Sequence, residues 1–208
     1  MKNLLKLTLV IMLLISCKDA PKSSDSSSSA ESKNIESVIR EVSGQNANKD
    51  EEYARLFEEL IVKKPLTVEQ LMEAFPKKLG NLSLDATPTM GVDYIDADTQ
   101  VIIGNYGNGT VKMEIIDAVG NFAGQAVAHL KSYDLITYES DDNTKYIKKV
   151  RNGILTSGVY VSSVNESEIK FLYDNRFYVS LEGKGMDVDA LWNAMGVDNL
   201  KRFKELNK

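Results

Sequence analysis

Cysteine and histidine are almost absent from this chain. Cys17 is the only cysteine and His129 the only histidine among 208 residues. A lone cysteine excludes any intramolecular disulfide. A lone histidine excludes zinc sites built on two histidines and the two-histidine facial triad of non-haem iron. Long apolar runs are scarce too: only residues 7–15 approach one, and a membrane span takes about 20 apolar residues. No basic cluster is dense enough for a phosphate backbone and the formal net charge is −5 at pH 7, so nucleic acid is not an expected partner. No Gly-x-Ser-x-Gly elbow exists to raise a serine nucleophile.

The N-terminus is where the sequence is most specific. Lys2 and Lys6 give it a positive start, the apolar run of residues 7–15 is broken only by Thr8, and Leu14-Ile15-Ser16-Cys17 follows. Such a run suits a removable signal peptide, not a permanent span. The tetrad resembles a lipobox. That resemblance implies a bacterial lipoprotein, with residues 1–16 as signal peptide, cleavage in front of Cys17, and lipidation of the Cys17 thiol. Two acyl chains hold a protein stably where one does so only marginally, so the membrane is a partner through the lipid anchor. Lys18-Asp19 is not the Asp-first start that retains enterobacterial lipoproteins in the inner membrane. The expected location is therefore the cell envelope, with the outer membrane favoured. The Cys-Lys-acidic start is also similar to the surface-export signals of Bacteroidetes lipoproteins, and which face of the membrane the domain occupies stays open.

Residues 17–50 read as a lipidated tether. Ser23, Ser24, Ser26, Ser27, Ser28, Ser29 and Ser32 crowd a stretch with almost no large apolar residue before Ile35. Such a segment buries too little apolar surface to offset its ordering entropy. Ile35, Val38, Ile39 and Val42 have helical spacing, which allows a short helix over residues 34–43. Loss of Lys2 and Lys6 with the signal takes the formal charge from −5 to −7.

Residues 51–208 suffice for one domain with one core. Tyr53, Leu56, Phe57, Leu60 and Ile61 form a helical stripe over residues 51–62, ended by Pro65. A second helix starts at Thr67, with Gln70 as its capping-box partner. The period then changes to two. Residues 100–106 and 110–117 are expected strands joined by Gly107-Asn108-Gly109, a hairpin signal. A small-residue helix follows over residues 120–131. Further strands are expected at 134–139, 144–150, 154–162, 168–173 and 176–182. The last two meet across an Asp174-Asn175 turn. Asp187 or Asp189 caps a terminal helix. Strands joined by such short turns are antiparallel neighbours. The expected fold is α+β: a curved antiparallel β-sheet with helices mainly on one face, preceded by the disordered tether.

Candidate chemistry is sparse. His129 lies in the small-residue helix, where an ordinary surface or partly satisfied imidazole is the favoured account. Asp93, Asp96 and Asp98 offer oxygen ligands of the kind calcium takes, but lack the glycine and closing glutamate of an EF-hand, so a polar turn is favoured. Gly104 to Gly109 superficially suggests a phosphate loop, yet a strand follows it where a helix is required. Gly183-Lys184-Gly185 precedes a helix, where exposed N–H groups and Lys184 offer a weak anion site, but a plain turn is the favoured account. Ser157-Gly158 falls inside a strand pattern. The alanines of the small-residue helix, Ala123, Ala126 and Ala128, either pack against the sheet or leave an apolar groove beside it.

Pro76-Lys77-Lys78-Leu79-Gly80, the Gly-Asn-Gly hairpin and Gly183-Lys184-Gly185-Met186-Asp187 together resemble uncharacterised bacterial envelope-anchored domains. The resemblance implies a fold and assigns no activity. The expected function is thus a membrane-anchored envelope lipoprotein whose domain is a non-enzymatic binding or structural module with an unidentified protein or envelope partner. A carrier of a lipid or other apolar ligand is the alternative. No cofactor, catalytic residue or metal site is expected. Cys17→Ser should abolish acylation and leave an uncleaved precursor. A variant that still matures and survives a high-salt wash on the membrane excludes the lipobox.

Overall fold

Side chains alternate along each strand segment, and the two sets they form are chemically unlike. Ile169, Phe171 and Tyr173 are buried, as are Phe177, Val179 and Leu181 opposite them. Glu168, Lys170, Ser180 and Glu182 point the other way. A sheet with that pattern packs one face into a core and leaves part of the other wet. The computed structural model of the chain describes residues 48–90, 101–135 and 137–208. The lipobox with Cys17, the helix expected over residues 34–43, and Asp93, Asp96 and Asp98 lie outside the described residues.

In chain order, α1 (residues 48–62) and α2 (Val68–Ala74) precede a two-stranded ribbon of β1 (Lys78–Leu79) and β2 (Leu82–Ser83). Then come β3 (Thr89–Met90), β4 (Val101–Tyr106), β5 (Val111–Asp117) and α3 (Ala123–Leu135). A four-strand meander follows: β6 (Thr144–Arg151), β7 (Ile154–Val161), β8 (Glu166–Tyr173) and β9 (Phe177–Lys184). The chain closes with α4 (Val188–Met195), a 3-10 turn at Val197–Leu200 and α5 (Lys201–Leu206). The strands form one antiparallel sheet in the order β3-β4-β5-β9-β8-β7-β6. The fold is α+β, as the sequence pattern requires.

This order explains where α3 lies. The meander turns back so that β9 pairs with β5, and β6 becomes the far edge. The chain must therefore travel from β5 to that edge before the meander begins, and α3 makes the crossing over β9, β8 and β7. Ala123 and Ala126 dock it, packed in one cluster with Leu60 of α1, Ala118, Val119 and Leu172. The opposite face belongs to α2, α4 and α5, whose Leu71, Phe75, Leu191, Trp192 and Phe203 join the main core. Close approach there needs glycine: a Cβ on Gly158 would meet a Val188 methyl at 2.7 Å, and one on Gly183 would meet Leu191 at 2.9 Å.

Local signals account for most element ends. The Thr67 and Gln70 capping box forms reciprocally, with contacts of 3.3 and 2.9 Å. Asp187 caps α4 by accepting from the Ala190 N–H at 2.8 Å. The Asp85 carboxylate accepts from the N–H groups of both Asn108 and Gly109, each at 2.8 Å, and so holds the β4–β5 turn. That turn has positive φ at Gly107, Asn108 and Gly109, which explains its two glycines. Two expectations need correction. The strand expected over residues 134–139 does not form among the described residues: α3 runs on through Leu135, because Asp134 is held by Lys49 at 2.8 Å and by the Tyr53 hydroxyl. Those same contacts draw residues 48–50, assigned by sequence to the tether, into α1. The stripe of α1 is also wider than its contact, for Tyr53 and Leu60 are buried while Phe57 and Ile61 stay exposed.

One buried ion pair joins three separate pieces of chain. Arg176 donates from Nε to Asp117 Oδ1 at 2.6 Å and from its terminal nitrogen to Oδ2 at 2.8 Å. The second of these nitrogens also reaches the Lys64 carbonyl at 3.1 Å, while Asp117 accepts from the Leu66 N–H at 2.8 Å. Removing one partner strands a buried charge, which costs about 3–5 kcal/mol. Arg176→Met should therefore lower stability in urea unfolding by that amount, and Asp117→Leu in the same chain should recover most of it. A single-variant loss below about 1 kcal/mol, the scale of an exposed pair, would show that the pair is dispensable.

Candidate functional groove beside the crossing helix

The second face of the sheet is graded from apolar to charged. Across the strands, Ile116, Tyr178 and Leu172 stand in one register row. This row lies nearest the cluster of α1 and α3. In the next row stand Glu114, Ser180, Lys170, Ser157 and Lys148. The one beyond it holds Lys112, Glu182, Glu168, Val159 and Tyr146. Where the helices stop, the charged rows become the floor of an open groove of about 540 Å³. One wall is α3, through Gln125, Ala128, His129, Ser132 and Tyr133, and Tyr138 stands at the far side.

Most floor charges are already engaged. Lys112 pairs with Glu182 at 3.1 Å, and Lys170 pairs with Glu168 at 2.6 Å. Lys148 donates to the Ser132 and Tyr133 carbonyls and lies 5.3 Å over the Tyr133 ring. It thereby satisfies carbonyls left free at the C-terminal end of α3. Glu114 is different. Among the described residues its carboxylate makes no hydrogen bond or salt bridge. Half-burial pushes its pKa above the usual carboxylate range, with Lys112 pulling the other way.

His129 is a wall residue. Its ring packs edge-on against Tyr178 at 5.3 Å, and its Nε2 is sealed from solvent with no partner among the described residues. Burial, helped by the charge of Lys170, pulls its pKa down to about 4. It is neutral at pH 7, and an imidazole whose Nε2 no water reaches is poorly placed to exchange protons with the groove.

The other sequence candidates are accounted for locally. Backbone donors at Gly183-Lys184-Gly185 are spent: the Lys184 N–H goes to Thr110 at 2.9 Å and that of Gly185 to Asn165 at 2.7 Å. The Asp187 carboxylate already fills the α4 N-terminus, so no anion is needed there. Gly104 lies within β4, and Gly107 to Gly109 make the hairpin. Ala123 and Ala126 pack, whereas Ala128 is exposed and lines the groove. The small-residue helix thus packs through two of its alanines, and the groove beside it has a charged floor where the sequence left an apolar one as the alternative. Ser157 lies in β7 on the groove floor. Sequence reasoning passed over Glu114, Ser180, Lys170 and Lys148. Their signal was the polar half of each alternating strand, but their adjacency depends on β5 pairing with β9, more than sixty residues away in sequence.

The neutral His129 predicts an acid-sensitive domain. The folded state holds the imidazole at about 4, while the unfolded chain protonates it near its ordinary value of about 6.5. The unfolded state therefore binds more protons in that interval. Stability from this group is complete above pH 6.5 and is lost as pH falls to 4, by on the order of 3 kcal/mol. Melting curves from pH 7 to 4 should fall less steeply for His129→Gln than for the parent chain. Parallel curves would exclude a buried neutral imidazole.

No family model matches this chain, and no curated protein or solved structure does either. Its function has to be read from the chemistry of the groove itself.

Proposed function

We propose that the protein is an envelope-anchored lipoprotein whose domain binds a small polar molecule in the groove beside α3, without catalysing a reaction on it. The observation that carries this reading is a groove of about 540 Å³ with a charged floor, on the part of the sheet that α1 and α3 leave uncovered. Ligand sites of a few hundred Å³ with a few placed polar groups are the usual form of small-molecule pockets. The lipobox-like N-terminus supports the anchor. Among the described residues, the groove offers carboxylates and ammonium groups, but no histidine positioned as a base and no activated nucleophile.

A lipid or other apolar cargo is less well served. The floor rows carry Glu114, Lys170, Lys148, Glu168 and Glu182, and an acyl chain laid over them would desolvate charge without pairing it. The apolar side chains of the other face are consumed by α2, α4 and α5.

Amide NMR spectra of the full chain, recorded against a panel of small polar metabolites and against a short-chain fatty acid, test the reading. Polar binders should shift resonances clustered in β5, β8, β9 and the C-terminal half of α3. If no panel member binds, or if binders shift only residues outside these elements, the groove reading fails. Saturable binding of the fatty acid at those elements promotes the carrier.

A further inference from the structure

The register of the groove floor says more than that a polar ligand fits. Glu114, Ser180, Lys170, Ser157 and Lys148 stand side by side on five adjacent strands. In that row the two serines are short side chains between long charged ones. Each serine therefore marks a hollow. The hollow at Ser180 has Glu114 on one side and Lys170 on the other. The hollow at Ser157 has Lys170 on one side and Lys148 on the other. The first is the place beside the unpartnered carboxylate, and the second lies beside the Lys170 ammonium, with Lys148 across it held by the α3 carbonyls.

We propose that the groove binds a short zwitterion, its ammonium over Ser180 against Glu114 and its carboxylate over Ser157 beside Lys170, whose ammonium has donors beyond the one it gives Glu168. The proposal rests on the reading of the groove as a small-molecule site and names the class of molecule it takes. Glu114 supplies the strongest requirement. Its neighbours cannot satisfy it, because Lys112 is drawn to Glu182 and Lys170 to Glu168 along its own strand. Lys170 stands two strands from Glu114, about 10 Å away. A ligand ammonium laid over Ser180 supplies the missing cation within hydrogen-bond reach, and the Ser180 hydroxyl accepts as well. Tyr178, in the neighbouring row, offers an aromatic wall suited to a cation.

The spacing sets the length of the ligand. Ser180 and Ser157 are separated by one strand, so the two hollows lie about 10 Å apart. An extended peptide advances about 3.3–3.6 Å per residue. A tripeptide, or an amino acid with its amine and acid at the ends of a comparable chain, bridges the hollows with its termini. A simple anion would meet the repulsion of Glu114, Glu168 and Glu182. A metal cation finds no suitable cage, for no group of three His, Cys, Asp or Glu residues among those described is arranged to hold one.

Triglycine, its N-acetyl form and its C-terminal amide are matched probes of one length. Titrated into the full chain and followed by amide NMR, triglycine should bind in the groove, with shifts in β5, β7, β8 and β9. N-acetylation, which removes the ammonium, should weaken it about tenfold, the scale of one charged hydrogen bond. Amidation should weaken it by a smaller factor. Glu114→Gln should erase the difference between triglycine and its N-acetyl form. Its melting temperature at pH 7 should not fall, since the carboxylate it removes has no partner. If the N-acetyl form binds in the groove as tightly as triglycine, the zwitterion is wrong and the groove stands. If no probe shifts the groove strands, the zwitterion proposal fails. Metabolite binding elsewhere, or none, then brings down the groove reading too.

Discussion

The buried pair of Asp117 and Arg176 is the constraint on which the layering of the domain depends. α1 belongs to the cluster on the second face of the sheet, and α2 belongs to the main core on the first. The chain between them must pass from one side of the sheet to the other within a few residues. It does so where Asp117 ends β5 and Arg176 stands in the turn just before β9, and the pair holds that passage at both the Lys64 carbonyl and the Leu66 N–H. A hydrophobic contact could not fix this crossing, because the passing backbone carries donors and acceptors that must be matched where water is excluded. The bidentate guanidinium supplies two bonds in one plane. The same Arg176 carbonyl accepts from the Ala118 N–H at 3.0 Å, so the turn after β5 is tied as well.

The groove is a consequence of geometry as much as of chemistry. Seven strands spaced about 4.8 Å apart make a sheet about 30 Å wide, whereas a helix with its side chains is only about 10–12 Å across. Three helices and a 3-10 turn cover one face. On the other, α1 and α3 cover the apolar row and stop. Lys148 fastens the carbonyl end of α3 while Ala123 and Ala126 fasten its beginning. The helix is thereby fixed at both ends, and the boundary between covered and open sheet has a fixed wall. His129 closes that wall against Tyr178, which is why its burial is paid in an unmatched nitrogen.

Much of the architecture was legible in the sequence because it rests on local rules. Period-two alternation located β4 to β9 to within a residue or two, the Thr67 and Gln70 pair marked the start of α2, and Gly107-Asn108-Gly109 gave the hairpin. What failed was also local in appearance. Residues 134–139 alternate well enough for a strand, yet Lys49 and Tyr53, eighty residues earlier, bind Asp134 and keep it helical. Non-local contacts of this kind leave no periodic trace. The groove was illegible for a similar reason: its floor residues look like ordinary solvent-facing positions until β9 is set beside β5. Asp85 escaped notice because its role, holding two N–H groups of a turn more than twenty residues away, has no spacing rule.

The two sides of the sheet end very differently from one another. On one side stands β3, of which Thr89 and Met90 are the described residues. On the other, β6 is a full eight-residue strand, but its sequence Thr-Lys-Tyr-Ile-Lys-Lys-Val-Arg carries positive charge at Lys145, Lys148, Lys149 and Arg151. Asp141 binds back to Thr144 through both its backbone and its carboxylate, and Ser140 takes the outward N–H of Tyr146. An unprotected strand is a template for a second chain. A charged, partly occupied strand is a poor template. Copies of this domain packed densely against one another should therefore stay separate molecules and resist growing into a continuous sheet.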